Sequence, residues 1–126
     1  VVIRTETSRN QETGSYPYNA PEEVKNMATK FKRAVVTIPS GTGRRSFRAS
    51  VDFPSNVREA DVALNGFRLN FAGVVQRPIG EVEVDLELVS VVNRRVFFDV
   101  HCQYADANFD DPYNGYASVL VIADAA

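Results

Sequence analysis

The stretch Glu81-Val82-Glu83-Val84-Asp85-Leu86-Glu87-Leu88 places an acidic residue at every odd position and an apolar one at every even position. A β-strand sends successive side chains to opposite faces, so this period of two describes one wet face and one buried face. The alternation resumes beyond Arg95. Val96, Phe98, Val100, Cys102 and Tyr104 fall on one face, and Phe97, Asp99, His101 and Gln103 on the other. Asn93-Arg94 sits between the two runs, where a hairpin turn belongs. An antiparallel pair that walls one side of a core follows directly.

The remaining apolar runs must supply the other side. Residues 34–38 form a short β-branched run that ends in the turn cluster Pro39-Ser40-Gly41-Thr42-Gly43. In residues 46–53, Phe47, Ala49, Val51 and Phe53 alternate with Arg48, Ser50 and Asp52 before Pro54 stops the run. Residues 62–72 read as a long strand whose apolar phase shifts from Val62 and Leu64 to Phe67, Leu69 and Phe71. A one-residue slip flips every side chain, so a bulge or sharp bend at Asn65-Gly66 is predicted. Residues 73–80, with Pro78, form the next connection. Residues 117–123 are apolar on both phases: Val119 and Val121 on one, Leu120 and Ile122 on the other. A half-solvated strand would alternate, so its second face needs a cover, either the first segment of the chain or another subunit. Together these features predict an all-β fold: an antiparallel β-sandwich of about six strands over residues 34–126, preceded by an extended N-terminal arm.

The arm covers residues 1–33. Residues 5–19 are polar, and Tyr16-Pro17-Tyr18 could pin them to the body or to a neighbouring subunit. Residues 19–33 are the helical candidate. Asn19 can cap, Pro21 suits the first turn, Glu22-Glu23 suit the positive dipole end, and Val24, Met27, Ala28 and Phe31 recur at helical spacing. The alternative is a loop with one irregular turn.

At 126 residues the chain fits one domain, and a 44% hydrophobic content can fill a core. The net charge of −2 argues against a nucleic-acid partner, which calls for a basic face. The single cysteine, Cys102, excludes an intrachain disulfide and lies on an apolar phase, which marks a buried structural thiol. No apolar run approaches the roughly 20 residues of a membrane-spanning helix. The chain starts at Val1 without Met, as a processed chain or an excised domain would. No Gly-rich phosphate loop, metal-spaced His or Cys cluster, or nucleophile motif is present, so the reading is not an enzyme. His101 is the only histidine, on an outward phase, and reads as a surface residue. The Glu81, Glu83, Asp85, Glu87 row reads as a solvated face that meets Arg48, Arg68 or Arg95.

The most distinctive loop is residues 106–116, Asp-Ala-Asn-Phe-Asp-Asp-Pro-Tyr-Asn-Gly-Tyr. Oxygen-bearing side chains at Asp106, Asn108 and Asp110 match the start of a calcium loop. Asp111 and Ala117 stand where an EF-hand needs glycine and glutamate, so it is not one. The loop is also what a plain turn requires, since Asp, Asn, Pro and Gly all favour turns. A third reading uses Tyr104, Tyr113 and Tyr116. Aromatic faces beside amides and carboxylates suit a sugar, whose CH face stacks while its hydroxyls hydrogen-bond. Tyr104, Asp106, Asn108 and Tyr113 are then the ligand-binding candidates.

The order Val51-Asp52-Phe53-Pro54, then Ala60-Asp61-Val62-Ala63-Leu64-Asn65-Gly66-Phe67, then Val84-Asp85-Leu86-Glu87-Leu88-Val89-Ser90-Val91, then Val96-Phe97-Phe98-Asp99-Val100 and a closing apolar strand resembles the H-type lectin domain of snail agglutinins and discoidin. The resemblance spans residues 45–123. It implies a six-stranded antiparallel sandwich, trimers packed around a threefold axis, and binding of N-acetylgalactosamine-type sugars between subunits, in an extracellular or cell-surface setting. The snail members' Trp-His pair is replaced here by Tyr104-Ala105-Asp106, and their arginine by acidic residues around Glu83. The expected function is non-catalytic carbohydrate binding by a homo-oligomer. The rival is a structural or adhesive assembly module without a small ligand, and calcium is the one cofactor with any sequence support.

Overall fold

The computed structural model describes residues 28–73, 78–106 and 111–126. Six strands make up the fold: β1 (Ala28–Gly41), β2 (Arg45–Asp52), β3 (Val57–Phe71), β4 (Glu81–Val92), β5 (Arg95–Ala105) and β6 (Tyr113–Ala125). They form two antiparallel three-stranded sheets, ordered β1-β6-β3 and β2-β5-β4. Among the described residues there is no helix, and hence none long and apolar enough to cross a membrane. Only the β4–β5 hairpin stays within one sheet; every other connection passes from one sheet to the other. Asn93 opens that hairpin turn at a φ of 56°, a left-handed conformation that asparagine tolerates better than most residues.

The alternating runs turn their apolar phases toward each other. Val62, Val119 and Val121 of one sheet meet Val84, Leu86, Val96, Phe98 and Val100 of the other, all fully buried. Each such side chain contributes about 1.5–3 kcal/mol on leaving water. Two bulges keep the phases aligned. β3 slips register between Leu64 and Gly66, as its sequence predicts, and Asn65 Nδ2 donates to Ser118 Oγ at 3.1 Å there. β4 slips between Leu88 and Ser90, which pushes Val89 outward and returns Val91 to the core side.

Two expectations need correction. The helix expected over residues 19–33 does not hold at its C-terminal part, because residues 28–33 pair with β6 from Ala28↔Ala125 through Arg33↔Leu120. Long-range ladder bonds and a β-branched continuation (Val35, Val36, Thr37, Ile38) override a local helical spacing. The rest of that segment and the arm lie outside the described residues. The acidic row of β4 is not uniformly wet either. Glu87 is exposed, yet Glu83 and Asp85 are 5% and 3% exposed. Their basic partner is Arg44, not Arg48, Arg68 or Arg95.

Candidate functional site

One end of the sandwich gathers the residues expected to bind a ligand. Tyr113 begins β6 and its ring is fully buried with Ile38 and Cys102. Its hydroxyl proton points between the carbonyls of Gly43 (2.7 Å) and Cys102 (3.1 Å), and Arg45 Nε donates to the oxygen at 3.4 Å. The Arg45 guanidinium also covers the ring at 4.4 Å, while its amines hold the Pro39 and Tyr113 carbonyls at 2.7 and 3.1 Å. Burial pushes the Tyr113 phenol up to about 12, and also raises the buried Cys102 thiol. Tyr113 is therefore a strut and offers no free face to a sugar. Tyr104 is half-buried, with its ring 4.7 Å from Phe71 and 6.3 Å from Tyr113. Asp106 is buried against the Gly80 connection. Asn108 and Asp110, and with them the calcium reading, lie outside the described residues. The structure thus brings Tyr104 and Tyr113 together, but as packing. Cys102 is the structural thiol its strand phase predicts.

The outer face of β1-β6-β3 presents different chemistry. Across the sheet, Phe31 lies opposite Ile122, Arg33 opposite Leu120, and Val35 opposite Ser118. Phe31 and Val35 are 64% and 62% exposed. On the far side, Asp61 flanks Ile122 and Ala63 flanks Leu120. An apolar stripe thus runs along β1 and the central strand, with Arg33 at one sheet edge and Asp61 at the other. It leads to a shallow depression of about 400 Å³ lined by Tyr116, Arg68, Asn70, Asn114, Thr37 and Ser40. Asn70 Nδ2 donates to Asn114 Oδ1 at 3.0 Å, and the Tyr116 ring stays exposed. Gly115 is obligatory beneath it, since a Cβ there would stand 1.7 Å from the Arg68 carbonyl oxygen.

The outer face of β2-β5-β4 is a charged network. Ser46 and His101 are register partners, and Ser46 Oγ lies 2.6 Å from His101 Nδ1. The other ring nitrogen, Nε2, lies 3.0 Å from Glu87 Oε1. Arg48 donates to both oxygens of Asp99, at 2.5 and 3.2 Å, and this contact holds its guanidinium pKa above the usual value. Arg95 likewise grips Asp52 at 2.6 and 3.0 Å, which lowers the carboxyl pKa. Arg44 chelates Glu83 at 2.8 and 3.1 Å and reaches Asp85 at 3.8 Å.

Sequence reading singled out Tyr116 but not the depression around it, and it missed the His101 cluster. The outward phases of Ser46, Glu87, Asp99 and His101 and the β4–β5 hairpin were visible; the register of that hairpin and the placement of β2 beside β5, which bring these residues together, were not. No protein-family model, curated protein or solved structure matches this chain.

Proposed function

We propose that the chain is a non-catalytic carbohydrate-binding domain that acts as a homo-oligomer, its copies joined through the outer face of β1-β6-β3. The observation that carries this reading is the exposed Phe31–Val35 stripe, continuous with Leu120 and Ile122 and leading to the Tyr116 depression. Exposed apolar area of this kind leaves water only when another surface covers it. Arg33 on the β1 edge and Asp61 on the β3 edge favour a second copy set head-to-tail, since one copy's cation then meets the next copy's anion. Such heterologous contacts give a ring when the rotation between copies closes, and a trimer is what the H-type lectin resemblance implies. The sugar sits at the margin of this face. Its CH face stacks on Tyr116, and its hydroxyls or an N-acetyl group meet the Asn70 and Asn114 amides, Arg68 and Thr37. In this reading the ligand contacts lie here, and the buried Tyr113 and Asp106 are not among them.

The test pairs light scattering with a glycan array. Wild-type protein should be an oligomer and bind N-acetylgalactosamine-type glycans. Ile122→Lys should give a folded monomer, and Tyr116→Ala should lose glycan binding while it remains oligomeric. Oligomers that bind no glycan would favour the assembly module instead. A monomeric wild type would sink both.

A further inference from the structure

On the opposite outer face, the geometry points to a divalent transition-metal site formed by His101, Glu87 and Asp99, with Ser46 as the residue that positions the imidazole. Each of the three offers one ligand atom, and these atoms all lie within 4.8 Å of one another. They come from two neighbouring strands, β4 and β5, where Glu87 and Asp99 face each other directly in register and His101 follows on the same side. Rigid elements of this kind hold ligand atoms better than loops do.

Two features distinguish this cluster from an ordinary solvated charge row. The first is the separation between ligand atoms. His101 Nε2 and Glu87 Oε1 are 3.0 Å apart. Two ligands bound to one ion at about 2.0–2.2 Å, at tetrahedral or octahedral angles, lie roughly 2.8–3.6 Å apart. Nε2 and Oε1 thus stand at a spacing that a shared ion accepts as well as a hydrogen bond does, and Asp99, whose ligand atom lies within 4.8 Å of both, supplies the third corner once Arg48 releases it. The second is the support behind the ring. Nδ1 is 2.6 Å from Ser46 Oγ. A carboxylate only accepts, so without an ion the 3.0 Å contact is Nε2–H donating to Glu87. An ion takes that proton's place, and Nδ1–H then donates to Ser46 Oγ, which is the tautomer a metal needs. Imidazole nitrogen combined with carboxylate oxygen suits zinc and its neighbours better than calcium, which takes oxygen ligands. Arg48 is the competitor, because it holds both Asp99 oxygens when no ion does.

The composition makes the test clean. His101 is the only histidine, and the only thiol, Cys102, is buried. Untagged protein is titrated with zinc by calorimetry, with cobalt as an optical probe, and the His101 ring nitrogens are followed by NMR. One zinc per chain should bind saturably and shift the His101 ring nitrogens, with Nε2 as the metal-bound one. Cobalt should give visible bands without the thiolate absorption of a cysteine ligand. His101→Gln and Asp99→Asn should abolish or strongly weaken binding. Ser46→Ala should weaken it about tenfold or more. Arg48→Ala should strengthen it, an effect that mere structural loss would not produce. No saturable zinc binding by the wild type, or an Nε2 signal unmoved by zinc, would overturn the site even if a variant failed to fold. Zinc affinity undiminished in folded His101→Gln would overturn it too.

Discussion

On the outer face of β1-β6-β3 the side chains standing clear of the core include Phe31, Val35, Leu120 and Ile122; on that of β2-β5-β4 they include Ser46, Arg48, Glu87, Asp99 and His101. The charged face satisfies itself. Arg48 has Asp99, His101 has Ser46 and Glu87, and Arg95 has Asp52. Hydrogen bonds and ion pairs close locally between neighbouring strands, so that face is stable in water with no partner. Apolar side chains gain nothing comparable from one another while half their surface stays wet; removing it is worth about 25 cal/mol per Å². One sandwich therefore carries one face complete in itself and one that gains from company.

Four substitutions probe this contrast. The largest effect comes from comparing the two phases of β6. Val121 is fully buried between the sheets, and Ile122 points out. Val121→Asp should cost more than about 4 kcal/mol and leave the domain largely unfolded by circular dichroism. Ile122→Lys should keep the fold and change only association. If both merely produced monomers, the division between inner and outer phase would be wrong. Val121 is thus a poor place to test assembly.

A smaller effect is expected at the closed end that joins the two sheets. Tyr113→Phe removes the donor to the buried Gly43 and Cys102 carbonyls and should cost about 1–3 kcal/mol in denaturant unfolding. It should also change the alkaline limb. The folded phenol titrates near 12, above its ordinary value of about 10, so the native state keeps a proton that the unfolded chain has lost. Stability should therefore be full below about pH 10 and fall as pH rises toward about 12. The Phe variant should show a shallower decline, since the raised Cys102 thiol contributes one of its own, and an identical alkaline profile in both proteins would remove Tyr113 from this role.

The smallest effect should be Arg48→Ala on the charged face. Arg48 is exposed, and a solvated ion pair contributes little, so the unfolding midpoint and the oligomeric state should both match wild type. A change in oligomeric state would mean that the charged face also meets a partner, and the contrast between the faces would fail.

Much of the architecture is legible along the chain. The alternation in β4 and β5, the Asn93 turn, the phase shift at Asn65-Gly66 and the doubly apolar β6 each depend on neighbours in sequence, and each has its counterpart in the structure. The helical spacing misled at Ala28 and Phe31, because apolar residues at those positions fit a helix as well as a strand, and only the ladder to β6 decides between them. The candidate site was less legible. Tyr113 has the residue type and loop setting of a stacking platform. Its burial depends on Arg45 folding over it from β2, 68 positions away.

What the sequence determined by itself is local: strand period, turn positions, a bulge, a buried thiol and apolar residues on both phases of β6. These follow from steric and solvation rules that act within a few residues. What only the tertiary structure decided is which strands lie side by side beyond the β4–β5 hairpin. Register between distant strands placed Ser46 beside His101, brought Arg44 to the Glu83–Asp85 pair, and set Phe31 beside Ile122 on an open face. Cross-strand contacts arise from the packing of the whole core, and a period of two does not specify the neighbour it will meet.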